Sequence, residues 1–392
     1  MYNIACNLPL EREPWNISLE SRRQKVLNGI LQGKKVAVMI YEQADTSTFR
    51  YRCYNVMQAL KISAKWDSVY FFMNELDTVY SLLPDISLLI LIRIRWTHDI
   101  DTLIQRAHVH HIKVLFDVDD LVCNTQYLKL VTNTLNVHFG GNVDYDFWFA
   151  YISRMEYTAS RVDGFIVTNP YLGEKLQSRF GKPYQIVINS LNQEQLKVSE
   201  MCCQCKEKLR KSKPYTLGYF SGTPSHINDF KIIAPEMIQL LNDYPEMVLQ
   251  VVGFMEFPES MRELINKKRV RFTPLVDFVE LQKKIAEVDV NIVPLVQNSF
   301  TNCKSELKFF EAAVVNVPTL ATPIYTYKNA IEDGKTGFLC EPGQWYENVV
   351  KLYNEPALSR EISQNAYTYC MEHYTGKRFR KQIEDSYSYF AL

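Results

Sequence analysis

The stretch Asn298–Phe338, NSFTNCKSELKFFEAAVVNVPTLATPIYTYKNAIEDGKTGF, decides the fold. Its pattern predicts a loop, a helix, a short buried strand and a second helix that ends at a glycine. If the first helix spans 304–315, Lys304, Lys308 and Glu311 lie on one face, at spacings i, i+4 and i+7. The sequence therefore places two lysines and a carboxylate side by side, next to a strand of a predicted sheet.

The start of this helix suits an anion. Asn302 or Ser305 is a candidate N-cap. Free N–H groups, the helix dipole and the ammonium charge of Lys304 would together stabilise a diphosphate there. The alternative is that Lys304, Lys308 and Glu311 are solvated charges on an ordinary amphipathic helix.

The run KSELKFFEAAVVNVPTLATPI…AIEDGKTGFLCE resembles the donor-site segment of GT-B glycosyltransferases of the retaining family 4 type. More narrowly, it resembles bacterial members that build surface polysaccharides and carry Lys-Ser-x-x-Lys-x-x-Glu. The resemblance implies that Lys308 and Ser305 lie at the nucleotide sugar and that Glu311 binds its ribose hydroxyls. Such enzymes usually have a second glutamate eight positions upstream, near the sugar, and this chain has Cys303 there.

Length and composition limit the classes of function. The chain has 392 residues, which is enough for two domains with separate cores. Hydrophobic residues make up 47% and charged residues 22%, as in folded globular proteins. Lys+Arg and Asp+Glu both number 44, and this balance does not favour a nucleic-acid partner.

Targeting and redox features predict a cytoplasmic protein. The start, MYNIACNLPLEREPW, lacks a secretory signal, and the most apolar run, 81–94, is too short and interrupted to span a bilayer. The nine scattered cysteines suit reduced thiols. Cys202, Cys203 and Cys205 could indicate zinc, but they lack a second ligand pair, and free thiols in a linker are favoured.

The order of apolar runs predicts an α/β fold. Buried strands alternate with helical patterns in two series, and each series implies a doubly wound parallel sheet. The strands of the first series are expected at 36–40, 69–73, 88–94, 114–118, 165–168 and 186–188. Those of the second are expected at 216–220, 249–252, 270–272, 290–294, 319–321 and 338–340.

The two series predict two Rossmann-like domains that face each other across a cleft, the GT-B arrangement that the resemblance implies. The predicted parts are an N-terminal extension (1–33), an acceptor-side domain (34–190), a lysine-rich linker (191–213), a nucleotide-sugar-binding domain (214–370) and a C-terminal helix that crosses back to the first domain (371–392). The linker lysines could contact a membrane surface or form a solvated face.

Ligands of open α/β sheets bind beyond the carboxyl ends of the strands, so the loops there are candidate sites. After the first strand, YEQADTSTFRYRCYN offers Thr46, Ser47 and Arg50, followed by a helix over 50–63. Small hydroxyl residues before a helix can present N–H groups to an anion. The resemblance places this loop near the donor phosphates or the acceptor, whereas an ordinary N-cap with surface arginines is the alternative.

The fourth strand ends in DVDDLV, where Asp117, Asp119 and Asp120 are clustered. Such carboxylates suit a general base, hydroxyl binding or a divalent metal. The resemblance favours acceptor binding by Asp119 and Asp120 over a metal, because GT-B enzymes generally hold no catalytic metal. Structural capping is the alternative.

The seventh strand is followed by SGTPSHINDF. Gly222 allows close approach of the backbone, and Ser221, Thr223 and His226 can donate hydrogen bonds to phosphate oxygens. An ordinary structural turn is the alternative.

Together these features predict a hexosyltransferase whose co-substrate is a nucleotide-diphosphate sugar and which needs no cofactor or metal. Lys304 would stabilise the leaving diphosphate. The resemblance implies retention of configuration, surface-polysaccharide synthesis and a glycan or lipid-linked glycan acceptor, with peripheral contact at the inner face of the membrane. The alternatives are a sugar-nucleotide epimerase on the same fold and an inactive transferase-like scaffold, for which Cys303 is the best support.

Overall fold

The computed structural model describes residues 11–135, 142–209, 213–222 and 227–391, and these residues form two parallel six-stranded sheets. The first sheet has the order β2-β1-β3-β4-β5-β6. Its strands are β1 (Lys35–Tyr41), β2 (Trp66–Phe72), β3 (Leu88–Ile92), β4 (Lys113–Val118), β5 (Gly164–Val167) and β6 (Tyr184–Ile186).

The second sheet has the order β12-β11-β10-β7-β8-β9. Its strands are β7 (Tyr215–Ser221), β8 (Met247–Gly253), β9 (Val270–Thr273), β10 (Val290–Val293), β11 (Thr319–Ala321) and β12 (Phe338–Leu339). Every predicted strand is present within a few residues of its predicted bounds. The predicted α/β class with two doubly wound domains is therefore confirmed.

Helices cover both faces of each sheet. Those of the first half are α1 (Leu19–Leu31), α2 (Asn55–Leu60), α3 (Leu76–Leu82), α4 (His98–Val109), α5 (Leu128–Thr134), α6 (Asn142–Arg161), α7 (Pro170–Phe180) and α8 (Gln193–Leu209). Those of the second half are α9 (Ile227–Lys231), α10 (Ala234–Asp243), α11 (Arg262–Asn266), α12 (Phe278–Ala286), α13 (Leu307–Ala313), α14 (Tyr325–Ala330), α15 (Trp345–Asn354), α16 (Pro356–His373) and α17 (Gly376–Phe390).

The central strands are buried along their whole length because both faces are covered, and the one polar residue of β10, Asn291, is hydrogen-bonded to Lys308 and Thr319. All five residues of β3, LLILI, are buried, as are the four of β10. Parallel strands buried on two faces show such continuous apolar runs rather than alternation. This packing fixes the strand ends, and with them the loops that carry the polar residues.

Segments near both ends of the chain pack on the first domain, and Trp15 also contacts the second. Trp15 packs edge-on against Tyr54 of the first domain and, at 5.7 Å between ring centroids, against Phe278 of the second. In α17, Ser388 accepts a hydrogen bond of 3.0 Å from the indole N–H of Trp66, in β2. The last helix therefore lies against the first domain.

The helix predicted over 304–315 is shorter than expected, and neither predicted N-cap is used. Asn298 and Thr301 hold a 3-10 turn at Thr301–Cys303, because the Asn298 amide oxygen accepts from the backbone N–H of Phe300 and Thr301. Lys304 then adopts an extended conformation, with φ −69° and ψ 151°. Helix α13 consequently begins only at Leu307.

The predicted helix over 50–63 also differs. Arg50–Tyr54 form a π-helical turn, and the regular helix α2 ends at Leu60. All five residues of the π turn are buried. Short π segments often occur at functional sites, and this one brings Arg50 and Tyr51 to the space between the domains.

Candidate active site

A cleft with a volume of about 330 Å³ lies between the two domains. Its polar walls come mainly from the segments that follow the carboxyl ends of β1, β4, β7 and β10, and the segments after β6, β9 and β11 complete the lining. The strand order reverses at β1 in the first sheet and at β7 in the second, so loops diverge there and leave room for a ligand.

The cleft brings together the candidate site residues that the structure describes, with the exception of Asp117. They line one surface although they are scattered along the sequence: Thr46, Ser47, Arg50, Asp119, Asp120, Ser221, Gly222, Lys304, Ser305, Lys308 and Glu311. Two further candidates, Thr223 and His226, lie outside the described residues.

Glu311 is the most buried carboxylate of the cleft, with 4% exposure, and only Arg50 among the charged residues there is more enclosed, with 3%. Its carboxylate accepts a hydrogen bond from the hydroxyl of Tyr51, and the Arg50 guanidinium lies 3.5 Å from the same oxygen. Burial raises the pKa of Tyr51 far above its ordinary value, so the hydroxyl stays a donor. Both partners belong to the first domain, and the contact therefore crosses the cleft.

Arg50 has one enclosed nitrogen without a partner. Its Nε donates to the Thr46 carbonyl at 2.7 Å, and its guanidinium lies over the rings of Tyr51 and Phe278. Nη1 is buried and has no hydrogen bond within the described part of the chain. A buried cationic N–H without an acceptor is costly, so this nitrogen is suited to receive an anion.

Lys308 is a second cation of this kind. The residue is partly exposed, but its ammonium nitrogen is fully enclosed and has no hydrogen-bond partner among the residues described. Burial lowers the pKa of Lys308 to about 8, and the nearby charge of Asp229 opposes this shift. The ammonium also lies 5.7 Å from the ring centroid of Tyr219. An anionic ligand would restore the lost solvation.

Four charged groups form a network at the other side of the cleft. Arg93 Nη1 lies 3.2 Å from Asp119 and 3.9 Å from Asp120, and it donates to Thr48 Oγ1 at 2.9 Å. Lys304 Nζ reaches Asp120 at 3.4 Å from the second domain. In the free chain Lys304 is thus paired with an aspartate of the opposite domain.

Arg93 and Tyr51 are site residues that the sequence analysis missed. Arg93 has a positive φ of 49°, which is unusual for a residue with a side chain. Such strain occurs at functional sites, where the surroundings hold it in place. Its position directly after β3, at the edge where ligands bind, was a usable signal; Tyr51 gave none, because a tyrosine within a helical pattern is typical of a core.

Asp117 does not belong to the cleft, although the sequence groups it with Asp119 and Asp120. It is 4% exposed and makes two hydrogen bonds, of 2.8 and 2.9 Å, with Arg52. Burial raises the pKa of Asp117, and the charge of Arg52 opposes that effect. This pair is internal, and the remaining Nη1 of Arg52 donates to Asn189 at 3.1 Å.

Ser305 connects the domains instead of capping α13. Its hydroxyl accepts a hydrogen bond of 3.1 Å from the amide of Asn189. Since α13 has only seven residues and starts at Leu307, the expected helix end is not formed at Ser305, and the side chains of Lys304 and Lys308 line the cleft there.

One wall of the cleft is apolar and suits a flat ring such as a nucleobase. It is built from Val252, Leu275, Val276, Leu281 and Leu295.

Among residues 11–135, 142–209, 213–222 and 227–391, no group of three His, Cys, Asp or Glu side chains could hold a metal ion. Of the helices in those ranges, none has the length and apolar character needed to cross a membrane.

Residues 215–355 match the family model of glycosyl transferases group 1. This segment is therefore similar to a group 1 glycosyltransferase domain. The domain contributes Ser221, Lys304, Lys308 and Glu311 to the cleft, and it supports glycosyltransferase activity for the chain. No curated protein sequence matches the chain.

Solved structures show the GT-B fold over about nine-tenths of the chain. HepE from Anabaena, solved with UDP and glucose, superposes with a TM-score of 0.61 over 91% of this chain and 100% of its own, at 12% identity. A glycosyltransferase from Rickettsia africae ESF-5 gives 0.62 over 91% and 98%, at 11% identity. Sucrose-phosphate synthase from Thermosynechococcus elongatus gives 0.58 over 91% and 99%, at 14% identity.

Proposed function

We propose that this glycosyltransferase moves a hexose from a nucleotide-diphosphate sugar to a glycan or lipid-linked glycan, with retention of configuration, in surface-polysaccharide synthesis. The nucleotide sugar is a co-substrate, and neither a cofactor nor a metal takes part. The proposal includes a cytoplasmic location, with peripheral contact at the inner face of the membrane.

The observation that carries the proposal is a pair of enclosed cations on opposite walls of one cleft. Arg50 Nη1 and Lys308 Nζ both lack a hydrogen-bond partner within the described residues. Leaving such groups unpaired costs about 1–3 kcal/mol each, so an anion that binds between them recovers this energy. A diphosphate has enough oxygens to serve both, and HepE was solved with UDP bound.

Lys304 and the two aspartates would act on the reacting groups. Negative charge grows on the diphosphate as the glycosyl–oxygen bond breaks, and Lys304 would stabilise it. Asp120 holds that ammonium in the free chain, so the lysine would exchange one anion for another. Asp119 and Asp120 would then be available to orient an acceptor hydroxyl, and binding energy would be used for positioning.

The direct test is calorimetric titration with UDP, GDP, TDP and ADP. We expect micromolar binding of one nucleotide and at least tenfold weaker binding by Lys308→Met. Lys328→Met is the matched control, because Lys328 is exposed and lies outside the cleft. If the folded wild-type chain binds none of the four nucleotides, the scaffold alternative is favoured.

Product analysis tests the reaction itself. Incubation with the matching nucleotide sugar and a glycan acceptor should give a new glycosidic bond with the donor's anomeric configuration. Conversion of the nucleotide sugar without any acceptor would instead show the epimerase.

A further inference from the structure

A second cavity, of about 520 Å³, also lies between the domains. It shares no lining residue with the first cleft. Ser305 lines the first cleft and the next residue, Glu306, lines the second, so the Lys304–Glu306 segment separates them. Two hydrogen bonds from the first domain hold this segment in place. Asn189 donates to Ser305 Oγ at 3.1 Å, and Asn169 donates to the Cys303 carbonyl at 2.9 Å.

Both halves of the chain and its last two helices build this second cavity. The first domain contributes residues that follow β5 and β6, and the second contributes Glu306 and part of α14. Helices α16 and α17 supply the remaining wall. The cavity therefore lies at the carboxyl edges of both sheets, where α/β folds bind ligands.

The charges in the second cavity are of both signs and equal in number: Glu306 and Asp385 face Arg378 and Lys381, and Lys381 is already paired with Asp385 at 2.5 Å. Glu306 is 9% exposed and hydrogen-bonded by Tyr374, and burial raises the pKa of its carboxyl. Arg378 is exposed, with no ion pair or hydrogen bond to another described residue. An anion would meet Glu306 and a cation would meet Arg378, so this arrangement favours a ligand without net charge.

Several polar groups of the cavity have free hydrogen-bonding capacity within the described structure. Thr326 is 4% exposed and its hydroxyl has no partner. Gln382 uses its oxygen to accept from the Ile188 N–H at 3.1 Å, which leaves its NH₂ group free. His373 uses Nδ1 on the Tyr369 carbonyl at 2.9 Å, which leaves Nε2 free. These groups can donate to and accept from several hydroxyls at once.

Aromatic rings complete the lining. Tyr325 and Tyr369 both contribute to the wall, and Tyr369 is held in place by stacking on His373 at 3.9 Å between ring centroids. Fixed rings provide apolar contact area at low entropic cost, while the polar groups around them orient the ligand. A ring with both C–H faces and several hydroxyls satisfies both kinds of lining.

We propose that this second cavity is a binding site for a neutral saccharide, separate from the donor cleft. The ligand could be one unit of a glycan chain or a free sugar, since the chemistry is the same. The inference does not depend on the proposed donor site, because the two cavities share no residue. Both cavities lie between the same two domains and share the Lys304–Glu306 segment as a wall. The affinities for the saccharide and for the donor would therefore be coupled, and such coupling is reciprocal.

The test is saturation-transfer NMR and calorimetric titration with the full chain. The neutral probes are methyl α-glucoside, N-acetylglucosamine, maltotriose and chitotriose, and the charged probes are glucuronate and glucosamine. We expect at least one neutral probe to bind with a millimolar or lower Kd. Tighter binding of a trisaccharide than of its monosaccharide would identify a glycan chain as the source, and equal affinities would identify a free sugar.

Variants locate the bound probe. Arg378→Ala and Thr326→Val should each weaken binding at least fivefold, whereas Lys377→Ala, an exposed neighbour of Arg378 outside the lining, should not. Lys308→Met should leave probe affinity unchanged while it reduces nucleotide binding. Because Arg378 is exposed, its variant remains informative if Thr326→Val does not fold.

Three outcomes would overturn the inference. They are no binding of any neutral probe, preferential binding of a charged probe, and binding that is lost in Lys308→Met but kept in the Arg378 and Thr326 variants. The last outcome would place the sugar in the donor cleft. Nucleotide titration of the same samples reports separately on the proposed function.

Discussion

Tyr51 in the first domain donates a hydrogen bond to Glu311 in the second, at the base of the cleft. Both residues are almost fully buried, with 3% and 4% exposure. In the free chain the phenol therefore occupies the carboxylate to which the family resemblance assigns the ribose hydroxyls. A nucleotide must share this carboxylate with the phenol or displace it.

Tyr51→Phe is therefore expected to strengthen nucleotide binding. Removal of a competing hydrogen bond worth about 1 kcal/mol corresponds to roughly fivefold tighter binding. The measurement is the Kd of the preferred nucleoside diphosphate, with Tyr157→Phe, an exposed tyrosine, as the control. Unchanged or weaker binding would show that Tyr51 keeps its bond to Glu311 in the complex.

Lys308 is expected to make nucleotide binding dependent on pH. Its pKa in the free chain is lowered to about 8 by burial, and a bound diphosphate would favour the charged form. Affinity should therefore fall as the pH rises above 8, and binding at pH about 8.5 should take up a proton. Titrations in buffers of different ionisation enthalpy measure this uptake, and it should be absent in Lys308→Met. Equal apparent enthalpies in all buffers for the wild type would contradict the assignment.

The same shift predicts how Lys308 affects stability. The folded pKa lies below that of the unfolded chain, so between pH 8 and 10.5 the unfolded state binds more protons and the Lys308 contribution to the free energy of unfolding rises with pH. Lys308→Met should be more stable than the wild type at pH 7, and this advantage should shrink across that window. Urea unfolding of both chains at pH 7 and near pH 10 measures the difference in their free energies of unfolding. An equal difference at the two pH values would mean that Lys308 does not titrate in this window.

The sequence predicted the sheets well because many of their strands are short, mostly apolar runs such as LLILI at Leu88–Ile92, as is typical of a strand covered on both faces. The sequence also predicted which loops line the cleft, because parallel strands bring their carboxyl ends to one edge of the sheet and the loops that follow them meet there. It failed at Lys304–Glu306, where side chains of the preceding loop compete with the helix. It could not find the Tyr51–Glu311 contact either, since partners 260 residues apart leave no local pattern.

Lys304→Met is expected to reduce kcat more than nucleotide affinity. In the free chain Asp120 already pairs with Lys304 at 3.4 Å, so much of the attraction to a bound nucleotide is offset by the loss of this pair. The charge on the diphosphate grows only as the bond breaks, and groups that stabilise such charge are typically worth about 100-fold in kcat. Initial rates and nucleotide Kd values, compared with those of Lys328→Met, measure both effects. A change in Kd without a change in kcat would show that Lys304 contributes to nucleotide binding but not to stabilisation of the transition state.

Arg93→Met is expected to lower the free energy of unfolding by about 2 kcal/mol, because Asp119 and Asp120 lose their common cation in a partly buried site. Arg95→Met is the matched control at the same strand end. Arg95 pairs with Glu42 at 2.7 Å, but both side chains are about one-third exposed, so its loss should cost under about 1 kcal/mol. Urea unfolding of the two variants gives the comparison, and equal effects would show that the Arg93 network does not stabilise the fold.

Cys303→Glu would introduce the glutamate that the resemblance leads one to expect, and it should destabilise the chain without raising activity. Cys303 is fully buried and packs with Phe300 in the apolar cluster of the first domain rather than in the cleft. A carboxyl group placed there would lose its hydration within an apolar cluster, at a cost of about 3 kcal/mol. Thermal and urea unfolding of Cys303→Glu and Cys303→Ala are compared. The alanine variant gives the effect of losing the thiol, and the further loss of stability in the glutamate variant is the effect of the buried carboxyl group. A Cys303→Glu chain that is as stable as the wild type and has a higher kcat would show that this position does reach the sugar.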